Sequence, residues 1–152
     1  MMHEEHGEKD IQKILKRHRS KSQQKVEGRD KDLRYLASGP TASFSDIPDV
    51  LFDDILLQFK LNRIEVLVLM YLYRKVWCQP NLYQEYGISP MLSHAEVAQD
   101  IHISMDALYP ALKKLEDLDF ISTIRSGQYF VRRYFQKEYD DLYRQSYGDF
   151  DV

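Results

Sequence analysis

The chain has 152 residues, of which 43% are apolar, so it is long enough for one ordinary domain with a packed core and a shorter tail. Its single cysteine excludes an internal disulfide framework, and the start MMHEEHGEKD is too charged for a secretory signal. No apolar run approaches the roughly 20 residues of a membrane span, so the composition favours a cytoplasmic protein that makes no membrane contact.

Charge is divided unevenly along the chain. Residues 1–34 hold ten Lys or Arg against seven Asp or Glu, whereas residues 35–152 hold eleven against seventeen. The first segment has too few aliphatic residues to fold alone, so we predict a flexible charged arm and linker over residues 1–44. One interpretation of this arm is a solvated tail, and the other is a basic segment that follows DNA phosphates. The arm's candidate phosphate contacts are Lys16, Arg17, Arg19 and Lys21.

Two helices are predicted at the start of the folded part. Apolar residues at helical spacing indicate a first helix over about residues 48–59. Asn62 followed by Glu65 is typical of a capping box, which predicts a second helix of about four turns from Arg63. This second helix is apolar nearly all round, so we expect its outer face to pack on the domain itself or on a second copy.

The next elements have the spacing of a helix-turn-helix. After a loop or short strand around Ile88, Ser93 is the predicted cap of a short helix, and Ser104 is the predicted cap of the next. The tight turn between them contains His102. Residues 120–135 then alternate as two strands around a turn that contains glycine.

These elements predict a mainly α-helical protein with a small β-hairpin wing. The predicted winged helix-turn-helix domain covers residues 45–147 and includes a C-terminal helix, with a tail at 148–152. The C-terminal aromatic residues have two interpretations: they pack on the second helix, or they form a homodimer interface. That set consists of Tyr134, Phe135, Tyr139, Leu142 and Tyr143.

Two family resemblances accompany this pattern. In the order KLNRIEVLVLMYLYRK, LSHAEVAQDIHIS and ALKKLEDLDFI, residues 47–120 resemble the N-terminal winged-helix domain of phage and plasmid replication initiators. The shorter stretch ALYPALKKLEDLDFI resembles the recognition helix and following strand of PadR-type transcriptional regulators. Both resemblances imply binding of double-stranded DNA, with the second helix of the motif in the major groove and the wing on the backbone or minor groove.

Candidate DNA contacts come from the helix at 104–118 and from the hairpin. When the leucines of this helix face the core, its polar side carries Ser104, Met105, Tyr109, Lys113 and Lys114. In the hairpin, the expected contacts near the tip are Arg125, Gln128 and Tyr129. On the second strand the candidates are Arg132 and Arg133, which point to opposite faces, so only one of them can easily face DNA. Basic side chains in these places would contact phosphates, and Tyr109 and Met105 would supply the sequence preference.

The predicted function is a small accessory or regulatory DNA-binding factor in replication or transcription, with a protein partner from one of those processes. The alternative is a protein-interaction module that uses the same fold, which the net negative charge of residues 35–152 favours unless the acidic groups lie away from the wing. The histidines lack metal-ligand spacing and no glycine-rich phosphate loop is present, so we expect no catalysis, no metal site and no cofactor.

Overall fold

The computed structural model describes residues 11–16 and 39–148, and the chain divides into two units, Met1–Ser43 and Phe44–Val152. In the first unit, residues 11–16 form a short helix with exposed side chains. The second unit is mostly helical with one two-stranded antiparallel hairpin, which confirms the predicted fold class at that level. Within the described residues, no helix combines the length and apolar character needed to cross a membrane.

The elements of the second unit follow the predicted order. The first helix begins later than predicted, because residues 48 and 49 lie outside it. The elements are α1, π-helical over Leu51–Ile55 and α-helical over Leu56–Gln58; α2, Arg63–Tyr73, continued by a π-helical turn at Arg74–Cys78; a 3-10 turn at Gln84–Tyr86; α3, His94–Asp100; α4, Met105–Asp117; β1, Ile121–Arg125; β2, Gln128–Val131; and α5, Lys137–Leu142.

Side-chain caps fix where three of the helices begin. The capping box of α2 is present as predicted: Asn62 Oδ1 accepts from the amide of Glu65 at 2.8 Å, and Glu65 Oε1 accepts from the amide of Asn62 at 3.0 Å. The hydroxyls of Ser93 and Ser104 each accept from the amide three residues later, at 3.4 and 3.1 Å. These bonds satisfy amides that would otherwise have no partner in the first turn.

Helix α4 contains a proline in its interior. Pro110 has no amide hydrogen, so the carbonyl of Asp106, four residues earlier, lacks its usual helical partner. Both residues are exposed, and water can therefore solvate that carbonyl. Helix α4 is continuous from Met105 despite the proline.

Strand β2 is covered on both of its edges. On one side it pairs with β1, in a register that shifts between Thr123 and Arg125. On the other side it bonds to the segment before α3, where the predicted short strand is present as a single bridge between Ile88 and Phe130. The backbone bonds to that segment are Val131 N to Gly87 O (2.8 Å), Ser89 N to Tyr129 O (2.8 Å) and Leu92 N to Gly127 O (2.7 Å). Every residue of β2 is also buried, because Tyr129 and Val131 belong to the core on one face and Phe130 packs on Tyr147 on the other.

The core lies between α2, α4 and the sheet. Phe135 stacks on Tyr73 of α2, with ring centroids 4.9 Å apart, so this member of the C-terminal aromatic set packs on the domain itself. Helix α5 begins only at Lys137, which places Tyr134 and Phe135 before the helix and not on it. At the other edge of the sheet, formed by β1, the Glu116 carboxylate accepts the amide hydrogen of Thr123 at 2.8 Å.

Candidate nucleic-acid interface

His94 connects three elements at one surface. Its Nε2 shares a hydrogen bond of 2.5 Å with the hydroxyl of Tyr129 in β2, and its ring meets the ring of Tyr109 in α4 edge to face at 5.4 Å. Tyr109 is 49% exposed and therefore stands at the surface where α3, α4 and the sheet meet. Burial, and secondarily the charge of Glu116, raise the pKa of Tyr129, which keeps its hydroxyl protonated.

The tip of the hairpin is held beside the start of α3. The amide of Leu92 donates to the carbonyl of Gly127, and Gly127 has a φ of +85°. A Cβ at Gly127 would overlap the carbonyl oxygen of Leu92, so glycine is needed for this close approach. Arg125 is exposed at this tip, and its Nε donates to Gln128 Oε1 at 2.9 Å.

The exposed side of α4 carries part of the predicted set. Tyr109 and Lys113 are both exposed and lie one turn apart on the same side of the helix. Lys114 is exposed as well, but it points about 100° away from Lys113 around the helix axis. Ser104 is exposed at the helix start, whereas Met105 is half-buried against the core. The start of α3 therefore lies between the exposed side of α4, reached through His94, and the hairpin tip, reached through Leu92.

Three predicted contacts are wrong because their side chains are buried. Gln128, Tyr129 and Arg132 are only 4% to 6% exposed. The alternation of residues predicted a hairpin strand with one open face, but Phe130 on that face packs against the ring of Tyr147, with ring centroids 4.7 Å apart. Gln128 Nε2 donates to the carbonyl of Ser89 at 3.0 Å, and Tyr129 is occupied by His94. None of the three is positioned to contact DNA.

Arg132 belongs to a buried ion-pair network that the sequence did not predict. Its Nη1 lies 3.2 Å from Asp140 Oδ2 and its Nη2 lies 3.3 Å from Asp119 Oδ2. Asp140 is 2% exposed, and it also accepts from the Tyr147 hydroxyl at 2.6 Å and from the Tyr134 amide at 3.1 Å. Burial and the bond to Asp140 raise the pKa of Tyr147. The network ties the end of β2 to α5.

Arg133 is exposed but lies far from the hairpin tip. Its guanidinium lies over the ring of Trp77 at 5.5 Å and that of Tyr134 at 5.8 Å, and its Nη1 donates to Gln145 Oε1 at 3.3 Å. At the rise of an extended strand, the chain from Gly127 to Arg133 spans about 20 Å. The structure therefore does not bring Arg133 together with Arg125.

The acidic residues of α1 lie away from the hairpin tip. They line a groove with Tyr134 and Tyr143, and Tyr134 directly follows Arg133 at the far end of β2. On α4 itself, Asp106 is exposed three residues before Tyr109, and the exposed Glu116, two turns after Tyr109, accepts from the amide of Thr123.

The predicted arm is only partly described. Lys16 is exposed in the helix at residues 11–16, while Arg17, Arg19 and Lys21 lie outside the described residues. In the parts of the chain that the structure describes, no three His, Cys, Asp or Glu side chains are grouped so as to hold a metal ion.

Comparison with known proteins found no match: no protein-family model matches the chain, and neither the curated proteins nor the solved structures gave a match.

Proposed function

We propose that the Phe44–Val152 unit is a winged helix-turn-helix module that binds double-stranded DNA. Helix α3, the turn at His102 and helix α4 would form the helix-turn-helix, and the β1–β2 hairpin would form the wing. The main support for the proposal is that His94, at the start of α3, contacts both Tyr109 of α4 and Tyr129 of β2. These contacts place the exposed side of α4 and the wing on either side of the start of α3. This is the arrangement that a duplex needs in order to meet a helix in its major groove and a wing on its backbone.

The contacts in this proposal have separate roles. Tyr109 and Lys113 lie on the side of α4 that would enter the major groove, where a phenol can contact base edges and an ammonium can pair with phosphate. Ser104 and the first amides of α4 are suited to a phosphate because a helix start favours negative charge. Arg125 would bind the backbone from the wing.

The proposed affinity depends on few cations. The exposed basic residues that face this surface are Lys113 and Arg125, while Lys114 is turned about 100° away around α4, and residues 35–152 carry net negative charge. Binding to random DNA would therefore be modest and sensitive to salt, and any selectivity would depend on Tyr109 and on groove shape. We assign no catalysis to this surface; the role is that of a small accessory or regulatory factor in replication or transcription.

The first test is a fluorescence-anisotropy titration of a labelled random-sequence duplex with the full chain at about 50 and 200 mM salt. The double variant Lys113→Ala with Arg125→Ala should bind more weakly and lower the slope of log affinity against log salt by about 2, since each phosphate contact contributes about 0.9. The matched control is Lys137→Ala. Its neighbour Gln136 bonds to Leu118, at the far end of α4 from Ser104.

Lys137→Ala should leave the affinity unchanged. An equal loss in the control and the double variant, or no loss in either, would contradict the proposal.

Tyr109 tests whether α4 contacts the duplex directly. Tyr109→Ala should lower the affinity by about tenfold, the size of one lost polar contact. Tyr109→Phe keeps the ring beside His94 and removes only the hydroxyl, so it separates loss of a DNA contact from loss of packing. If both variants bind as the wild type does, with unchanged circular dichroism, α4 does not contact the duplex.

A further inference from the structure

We propose that the groove between α1 and the tyrosines that flank α5, Tyr134 and Tyr143, is a docking site for a basic amphipathic helix of a partner protein. This α1–α5 groove has a volume of about 330 Å³ and is lined by Pro48, Asp49, Val50, Asp53, Asp54, Tyr134 and Tyr143. It is separate from the surface proposed to bind DNA and does not depend on that function.

Helix α1 has an apolar face that the domain leaves uncovered. Leu51 and Ile55 are buried in the core, but Phe52 is 54% exposed, Leu56 is 38% exposed and Leu57 is 78% exposed. Phe52 and Leu56 are four residues apart and Leu57 is next to them, so they form a continuous patch on the outer side of the helix. A patch of this kind on a short helix is typical of an interaction surface.

Aromatic residues form the other wall of the groove. Tyr143 is half exposed and its ring lies 4.7 Å from that of Tyr134, while Leu142 beside it is 66% exposed. The apolar patch of α1 does not itself line the groove but adjoins it, because Phe52 directly precedes Asp53 and Leu57 lies four residues beyond it. A groove beside an exposed apolar patch suits a helix with apolar residues at every third or fourth position.

The charge of the groove identifies the kind of occupant. Asp49, Asp53 and Asp54 are all exposed along it, and both ion pairs formed within the described residues are made by Arg132 and leave these carboxylates out. Burial and, after it, the nearby Asp54 carboxylate raise the pKa of Tyr139 in α5, so this carboxylate lies close to α5. An occupant with Lys or Arg beside its apolar residues would match both features.

The same charges argue against a second copy of this chain as the occupant. In a two-fold symmetric dimer the same surface meets itself, so the aspartates of one α1 would face the aspartates of the other. Like charges brought together in this way oppose association. Double-stranded DNA is excluded from this groove for the same reason.

The test uses the full chain and a labelled synthetic peptide of about 15 residues, with a leucine stripe flanked by lysines. The control peptide carries glutamate at each lysine position. We expect the lysine peptide to bind and the glutamate peptide not to bind. Failure of the lysine peptide to bind at about 1 mM, or equal binding of both peptides, would overturn the proposal.

Variants locate the peptide on the chain. The double variant Asp53→Asn with Asp54→Asn, and the single variant Leu57→Ala, should each weaken peptide binding by about tenfold. The matched control is Leu82→Ala, because Leu82 is 94% exposed and lies outside the groove. Equal weakening in Leu82→Ala would mean that the peptide binds to no particular site.

Two further measurements separate the alternatives. Light scattering that showed a wild-type dimer and a Leu57→Ala monomer would make a second copy the occupant, and the proposal would be wrong. Duplex titration of the Asp53→Asn, Asp54→Asn variant should give wild-type DNA affinity, so failure of this proposal and failure of the DNA-binding proposal can be told apart.

Discussion

Asp140→Asn should strongly destabilise the folded unit. The substitution keeps the size and the acceptor oxygen of the side chain but removes the charge that lies 3.2 Å from the Arg132 guanidinium. Arg132 is 5% exposed, so its positive charge would stay buried with only Asp119 as a partner, and the Asp119 side chain is 57% exposed. Removing one partner of a buried pair costs about 3 to 5 kcal/mol.

The same carboxylate accepts from the Tyr147 hydroxyl at 2.6 Å, and a hydrogen bond to a charged acceptor contributes about 1.5 to 3 kcal/mol. The asparagine retains part of that bond, so we expect a total loss of about 4 kcal/mol. In urea unfolding followed by circular dichroism this would lower the midpoint by about 2 M.

Two further variants make the reasoning refutable. Adding Arg132→Met to Asp140→Asn removes both charges, so the double variant should be more stable than the sum of the single effects implies. Asp141→Asn, at the exposed neighbouring residue, should change the unfolding free energy by less than about 0.5 kcal/mol. An Asp140→Asn protein within about 1 kcal/mol of the wild type would show that the pair contributes little, contrary to the burial argument.

Three other outcomes are expected. Gly127→Ala should lower the unfolding free energy by more than about 1 kcal/mol, because of its positive φ and the overlap with Leu92, and an unchanged thermal midpoint would contradict this. Pro110→Ala should raise the unfolding free energy by about 1 to 2 kcal/mol in the same melts, by restoring a helical bond in α4, and a lower midpoint would count against that account. Burial and the bond to Asp100 raise the pKa of Tyr71 from 10.0 to about 12. Its stabilising effect is therefore complete below pH 10.0 and is lost as pH rises through about 12. The tyrosinate absorbance of the wild type minus that of Tyr71→Phe, followed against pH, measures the pKa of Tyr71. A midpoint of this difference near 10.0 would refute the expected rise.

The starts of α2, α3 and α4 and the hairpin were predictable because their signals are local. Asn62, Ser93 and Ser104 each bond to an amide three residues away, so the cap and its partner are read from one short stretch. The glycine turn of the hairpin is local in the same way. Element order, and with it the mostly helical class with a small hairpin, follows from such signals.

The errors concern contacts between residues distant in sequence. Whether the side chains of Gln128 and Tyr129 are exposed depends on their contacts with Ser89 and His94, which lie 39 and 35 residues earlier in the chain. Arg132 was predicted as a candidate DNA contact from its place on the second strand of the hairpin alone. Its pairing with Asp140 depends on the position of α5, which no local pattern specifies. The predicted aromatic set wrongly included Tyr134 and Phe135, which precede α5, because their spacing continues the helical pattern of the residues that follow.

The bond from Thr123 to Glu116 also bears on how the protein avoids aggregation. A strand at the border of a sheet presents a row of unpaired amides and carbonyls to which another chain can add. Residues 87–92 occupy that position on one side of β2. On the other side, Glu116 takes the amide of Thr123, and the shift of register before Arg125 interrupts the regular spacing of β1. Fewer free backbone amides are therefore left on the hairpin for strand addition by a neighbouring chain.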